Sequence, residues 1–310
     1  MPREGGRPSV TDVLERPRER QRAKVAAYVA LTKPRIIELL LVTTVPAMVV
    51  AEKGLPSGWL ILATLIGGTL SAGGANAVNM YVDRDIDQIM ERTQGRPIVT
   101  GEVSPRAALT FAIALEAVAF AWLWGLVNLL SAVLALAACL FYVFVYTLWL
   151  KRRSVQNIVI GGAAGAAPVL IGWAAVANEI TLAGVVLFGV VFLWTPPHFW
   201  ALALRYRDDY AAASVPMLPV VVSISETGVR IVRYSVALWA LTAVFGVVAG
   251  MGLVYHVTAA ALGASFTVLS VRLWRSGTTE GAMRLFSFSI TYLTLLFAVI
   301  VLDELLRSGW

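Results

Sequence analysis

Charge is scarce in this chain of 310 residues. Only 14% of them are Asp, Glu, Lys or Arg, against about 25% in soluble domains, which excludes a soluble enzyme and a disordered protein. Cysteine is almost absent. Cys139 stands alone inside an apolar run, so an intrachain disulfide and a secreted disulfide scaffold are excluded. Histidine is limited to His198 and His256, too few for a multi-histidine haem relay or a Cys/His metal site. There is no Walker loop, no His-Glu-x-x-His and no nucleophile elbow. The strict alternation of barrel strands is also missing.

Apolar residues are abundant, at 58% of the chain, and mean hydropathy is +0.76. A bilayer-spanning helix needs about 20 such residues, so the pool fills about nine spans. The expected fold class is an all-α polytopic membrane protein, with nine transmembrane helices around a central cavity under a cytoplasmic cap. Spans are predicted at 35–51, 58–82, 105–126, 128–150, 155–177, 181–204, 229–253, 257–274 and 284–305. Residues 1–27 form a mobile, basic cytoplasmic tail in this reading, without the apolar core of a signal peptide. Residues 28–306 form one domain.

A pI of 9.7 and a net charge of +6 would suggest nucleic acid in a soluble protein. Here the basic residues report topology instead, and no nucleic-acid partner is expected. With a cytoplasmic N-terminus, all 25 Lys and Arg except Lys53 and Arg307 fall on the cytoplasmic side. The C-terminus then lies outside. The predicted location is the cytoplasmic (inner) membrane, with the lipid bilayer as the main partner. Two connections on the basic side, 84–104 and 205–228, are long and polar, and long loops tend to carry function.

The first of these begins at Asn76-Ala-Val-Asn79-Met-Tyr-Val-Asp83-Arg-Asp85-Ile-Asp87. A four-residue step turns an α-helix by only about 40°, so Asn79, Asp83 and Asp87 share one face while Asp85 points away. Ionised carboxylates on one stripe repel, and a hard divalent cation relieves the repulsion. Mg²⁺ suits, because it takes carboxylate oxygens and bridges to substrate phosphates. Spacing alone leaves an alternative, a solvated helix end paired with Arg84 and Arg92.

The second connection follows Trp194-Thr-Pro-Pro-His198, where Pro196 and Pro197 should distort or interrupt the sixth span. Asp208 and Asp209 could hold a second cation there, or simply end a charged helix. Lys33, Arg35, Arg92, Arg96, Lys151 and Arg152 gather on the same membrane side. Acids and cations around one cavity suit a metal–diphosphate, although topology demands basic residues there in any case. Glu116 lies deep in the third span, either neutral or paired with another helix.

The Asn79-x-x-x-Asp83-x-x-x-Asp87 stripe followed by Arg92-Thr-x-x-Arg96-Pro97 resembles the UbiA-type intramembrane prenyltransferase superfamily. Leu31-Thr-Lys-Pro-Arg-Ile36, Tyr146-Thr-Leu-Trp-Leu-Lys-Arg152, Asn157-Ile-Val-Ile-Gly-Gly162, Pro197-His-Phe199 and Val215-Pro-Met-Leu-Pro219 are similar to its protohaem IX farnesyltransferase (haem O synthase) branch. The resemblance implies Mg²⁺ as cofactor, haem B and farnesyl diphosphate as substrates, and haem O and diphosphate as products. It carries Asn79, Asp83 and Asp87 over as the first acidic motif and Asp209 as the acid of the second. His198, the only histidine near the polar face, is either a structural hydrogen-bonder beside the two prolines or a haem ligand. The resemblance also brings in a downstream haem-modifying enzyme or oxidase assembly as an associate. One departure stands out: many superfamily members have a second Asp-x-x-x-Asp, whereas Arg205 stands four residues before Asp209. That favours the haem branch over enzymes acting on an aromatic quinone precursor. A transporter is the remaining alternative, but no two-fold internal repeat accompanies the acidic loops.

Overall fold

The computed structural model describes the backbone of residues 10–309, and the side chains of residues 21–34 and 42–309. Among the described residues there are helices and no strands. The helices are α1 (Val10–Leu31), α2 (Pro34–Glu52), α3 (Gly58–Ile89), α4 (Pro105–Leu126), α5 (Leu129–Leu140), α6 (Asn157–Ala177), α7 (Leu182–Arg205), α8 (Arg207–Ala212), α9 (Leu218–Val221), α10 (Ile224–Val248), α11 (Leu253–Ser276) and α12 (Thr279–Ser308). A π-helical stretch, Phe141–Leu150, continues α5 without a break.

Eight helices among the described residues are long and apolar enough to cross a membrane. The 19-residue α2 covers the predicted first span. The chain is a multi-pass membrane protein. Its flanks carry large apolar side chains that water would not tolerate but lipid solvates: Val247 and Leu253 are 76% and 77% exposed.

Helix starts follow local chemistry. The hydroxyls of Ser57, Ser104 and Ser223 accept the amides of Leu60, Ala107 and Glu226, and Asn128 caps α5 through the Ser131 amide. The Ser223 cap explains one misplaced boundary. The seventh span was expected at 229–253, yet α10 opens at Ile224, because Ser223 with Glu226 three residues on is a capping pattern that hydropathy does not register. It closes before Gly250, whose φ of 64° suits the left-handed turn.

A second expectation is corrected at the proline pair. α7 runs unbroken through Pro196 and Pro197. Membrane helices tolerate such residues where hydroxyls and neighbouring helices satisfy the freed backbone groups. The prolines free the Phe192 and Leu193 carbonyls; beside them, Thr195 Oγ1 donates to the Val191 carbonyl at 2.9 Å, and Trp194 Nε1 ties the helix to the Ser289 carbonyl of α12 at 2.8 Å. The expected tail boundary at residue 27 falls inside α1, where Ala27 and Leu31 pack against Ala77, Met80 and Ala112.

Packing differs between the two halves. α7, α10, α11 and α12 build a dense core around Trp200, Phe245, Tyr255, Phe266, Tyr292 and Phe297. α3 and α6 carry Gly and Ala where those helices carry aromatics. Small residues let backbones approach: a Cβ at Gly172 would sit 2.6 Å from the Thr44 carbonyl oxygen. Elsewhere along the same helices, small side chains leave a void. The two long connections fold over its end. Tyr210 of α8, with Val215 and Met217 between α8 and α9, packs against Ile86 and Met90, beyond the membrane portion of α3.

Candidate active site

The void is a cavity of about 340 Å³ among α3, α5, the π-helical stretch and α6, with α2 and α7 contributing Thr44, Thr195 and Phe199. Such a volume suits a small-molecule site. Its body is lined by small and apolar residues such as Gly68, Ala72, Ala135, Ala138 and Ile171. Its charged end is lined by Lys33, Asn79, Asp87, Arg92, Arg96 and Lys151.

α3 places the acids. Asn79, Asp83 and Asp87 are 3%, 0% and 2% exposed, whereas the Asp85 side chain, on the other face, is 61% exposed. Each buried acid meets a cation. Asp83 pairs with Lys151 and has the Arg152 guanidinium 3.7 Å away, and Asp87 pairs with Arg96 at 2.5 Å. Arg152 forks onto Asp85 at 2.6 and 2.7 Å. The partners are therefore not Arg84 and Arg92, the pair that the alternative of a solvated helix end would use. Arg84 turns back to the Tyr81 carbonyl and ring, and Arg92 donates to the Tyr210 hydroxyl at 3.3 Å.

Lys33 enters from the other side. Its φ of 53° is unusual for a residue with a Cβ and precedes Pro34, so the turn must be held. Asn76 Nδ2 donates to the Thr32 carbonyl at 3.0 Å and holds it. The Lys33 ammonium then donates to Asn79 Oδ1 at 2.8 Å. Burial and the nearby Arg96 and Lys151 charges hold its pKa well below the usual lysine range. Burial raises the Asp87 carboxyl against the pull of Arg96. The fork from Arg152 lowers Asp85 to about 2. Even without Lys33, the side chains of Arg92, Arg96 and Lys151 outnumber Asp83 and Asp87 by three to two, so this end attracts an anion.

The π-helical stretch sets the register of Lys151. In an α-helix nine residues rotate by about 900°, which would put Tyr142 and Lys151 on opposite faces. The wider i→i+5 turn needs between four and five residues, so nine come close to two full turns. Thr147 Oγ1 donates to the Tyr142 carbonyl and the Lys151 amide to the Tyr146 carbonyl, both across five residues. Tyr142, Tyr146 and Lys151 all line the cavity as a result. The two tyrosine rings stack at 5.3 Å, and Gly161 leaves the Tyr146 ring its room. Hydropathy placed this segment in a span but carries no signal for its winding, and Tyr142, Tyr210 and Asn76 were not among the expected site residues.

Other expected residues lie elsewhere. The Arg35 side chain is outside the described residues. Asp208 is exposed on α8 and Asp209 half-buried beside it, and neither lines the cavity. His198 faces α12 instead. It is stacked between Trp194 and Phe286 at 4.2 and 4.7 Å, with Nδ1 2.6 Å from Ser289 Oγ, and it does not line the cavity.

A divalent cation fits this donor set. Asp83 Oδ1 is buried and accepts no hydrogen bond. No three His, Cys, Asp or Glu side chains converge among the described residues. A cation here would take two carboxylates and an amide oxygen, with water and a phosphate completing its shell, as Mg²⁺ prefers.

The similarities to known proteins agree with this geometry. A protein of Clavibacter sepedonicus named protoheme IX farnesyltransferase is 56% identical over 286 residues, covering 91% of this chain and 94% of its own. One of the same name from Parafrankia sp. is 54% identical over 311 residues, covering 98% and 99%. The fold is similar to that of a digeranylgeranylglyceryl phosphate synthase, with a TM-score of 0.76 at 16% identity, over 91% of this chain and 99% of that one. It is also similar to a UbiA homologue from Archaeoglobus fulgidus bound to GPP and Mg²⁺, with a TM-score of 0.62 at 18% identity, over 88% and 99%. The profile of the UbiA prenyltransferase family matches residues 40–296, a stretch that holds most of the cavity and both acidic segments, and the chain belongs to that family.

Proposed function

We propose that this chain transfers the farnesyl group of farnesyl diphosphate to a vinyl group of haem B, releasing diphosphate and forming haem O. The observation that carries the reading is one cavity with a cationic, carboxylate-bearing end and an apolar body. Relatives at 50–56% identity that are named protoheme IX farnesyltransferase supply the substrate pair.

Lys33, Arg92, Arg96 and Lys151 bind the diphosphate. When the allylic C–O bond breaks, its electron pair leaves with the diphosphate, and these fixed cations stabilise the growing charge. Mg²⁺ held by Asn79, Asp83 and Asp87 would neutralise further charge on the same oxygens. Asp209, on α8, would supply the acid of the second motif. The apolar body houses the farnesyl chain and keeps bulk water from the allylic cation. The terminal vinyl carbon attacks that cation, and the positive charge moves to the carbon next to the porphyrin ring. Water adds there and loses a proton, which gives the hydroxyethyl-type product. No covalent enzyme intermediate is needed, in keeping with the lack of a nucleophile motif.

The same reading puts the charged end in the cytoplasm and the protein in the cytoplasmic membrane, supported by the basic residues crowding that end. The test is mass spectrometry of haems from membranes containing this chain, given haem B and farnesyl diphosphate with and without Mg²⁺. Haem O forming only with Mg²⁺ is the expected result. Prenylation of an aromatic quinone precursor with haem left untouched overturns the assignment.

A further inference from the structure

One ionisable residue just behind the cavity wall plays no part in the mechanism above. Glu116, on α4, stands in the middle of a membrane span, where an ionisable side chain is costly and is seldom kept without a use. Its Oε1 accepts the Ser71 hydroxyl at 3.2 Å. Its Oε2 is buried and accepts no hydrogen bond. The Cys139 thiol faces the same carboxylate. Ser71 and Cys139 both line the cavity, so the carboxylate lies one side chain behind its wall. Gly74, one turn above Ser71, lets α3 approach α4 closely here: a Cβ built there would lie 3.0 Å from the Ala112 carbonyl oxygen.

The depth of this group matters. Ser71 lies eight residues before Asn79 on α3, so the two are about 12 Å apart along the helix axis. Ser71 is therefore below the diphosphate-binding end, in the body of the cavity, where Thr64 and Thr69 are further α3 hydroxyls on the wall. The reaction needs one polar event at that level. After the vinyl carbon has attacked, a single water must add to the carbon beside the porphyrin ring and give up a proton. Hydroxyls on the wall can hold that water, and Ser71 also reaches a carboxylate able to take its proton.

We infer that Ser71 and Glu116 form the water-holding and proton-accepting pair of the hydration step. This rests on the farnesyl-transfer reading above. The Ser71 hydroxyl oxygen accepts a hydrogen bond from the water. As the water oxygen bonds to the cationic carbon, its proton passes to the Ser71 oxygen, and the Ser71 proton passes to Glu116 Oε1. No electrons are gained or lost, and water is the only co-reactant. Ser71 touches the water, while Glu116 is a positioning residue that acts through Ser71. The two side chains also brace α3 against α4, and the choice of variant separates bracing from proton transfer.

Glu116→Gln keeps an amide oxygen able to accept from Ser71, so the brace survives while the base is lost. The experiment supplies the full-length protein in membranes with haem B, farnesyl diphosphate and Mg²⁺ in water labelled with heavy oxygen, and resolves the haem products by mass. Wild type should give farnesylated haem carrying the label. Glu116→Gln should bind farnesyl diphosphate as before, and its labelled product should fall by about a hundredfold, the low end of a positioned base's contribution. Farnesylated haem lacking one water, formed by proton loss instead, should take its place. Ser71→Ala should shift the products in the same direction, and Ser71→Thr should restore the label. Labelled haem at the wild-type rate from both Glu116→Gln and Ser71→Ala overturns the inference. Wild-type protein that never farnesylates haem overturns the functional reading beneath it instead.

Discussion

Lys33 and Asn79 meet at 2.8 Å across the mouth of the cavity, although 46 positions separate them in the chain. The contact joins a strained turn before α2 to the acidic face of α3. It also occupies an oxygen that the proposed cation requires, so diphosphate binding must draw the Lys33 ammonium from Asn79 to the new anion. Lys33→Gln should therefore raise KM for farnesyl diphosphate by about tenfold or more, in line with the loss of a charge-assisted hydrogen bond. Steady-state kinetics in nanodiscs check this. An unchanged KM would mean that the lysine only closes the turn.

Asp83 is the most enclosed of the acids. Asp83→Asn keeps the shape and removes the charge that Lys151 and a divalent cation both use. Turnover should fall by at least about a hundredfold, as for the loss of one preorganised electrostatic group, and the dependence on Mg²⁺ concentration should weaken. Asp209→Asn, on α8, should cost less. Diphosphate release from both variants measures the difference.

Gly161 faces the Tyr146 ring so closely that a methyl group has no room. Gly161→Ala should push Tyr146 from its stack with Tyr142 and narrow the cavity, with an overpacking cost of about 1–3 kcal/mol. Thermal unfolding in detergent and the rate with farnesyl diphosphate should both decline. A variant with normal activity would show that the tyrosine wall yields freely.

His198 should prove structural. Its ring fills a stack between Trp194 and Phe286 and bonds to Ser289. His198→Ala should lower the melting temperature, within the usual range of about 0.5–3 kcal/mol for a single substitution. Haem affinity should be unaffected. A loss of haem binding without loss of stability would return this residue to the site.

Asp85 supplies a pH signature. The Arg152 fork holds its folded pKa near 2, below the 3.8 of a free carboxyl. A depressed carboxyl pKa stabilises the fold above the unfolded value, and that stability is lost as pH falls through the folded one. The contribution should be complete above about pH 4 and fade towards pH 2. Exposure of the pair keeps it under about 1 kcal/mol. Melting curves of wild type and Asp85→Asn should differ at neutral pH and converge in acid.

Much of this arrangement could be read from the residues alone. A four-residue repeat fixed the buried face of Asn79, Asp83 and Asp87 and sent Asp85 outward, because helix rotation is a local property. Apolar length located the spans for the same reason. What stayed hidden depends on long-range packing or on winding. Nothing around Tyr142 announces an i→i+5 turn, and Pro196 and Pro197 gave a misleading sign, because α7 runs on through both of them. Arg96 lies nine positions from Asp87, but Lys151 and Arg152 lie more than 60 positions from Asp83 and Asp85, beyond the reach of any local pattern. His198 stood near the right stretch, yet its side of α7 could not be told until α12 was in place.

At 32 residues, α3 is about 48 Å long, while the hydrocarbon slab of a bilayer is about 30 Å thick. Its last turns therefore stand clear of the oil. A molecule with an ionic head and a greasy tail can lie alongside this one rod, its head never leaving the wet zone and its tail never leaving the dry one. Sorting the two ends thus falls to helix length before any individual contact is made.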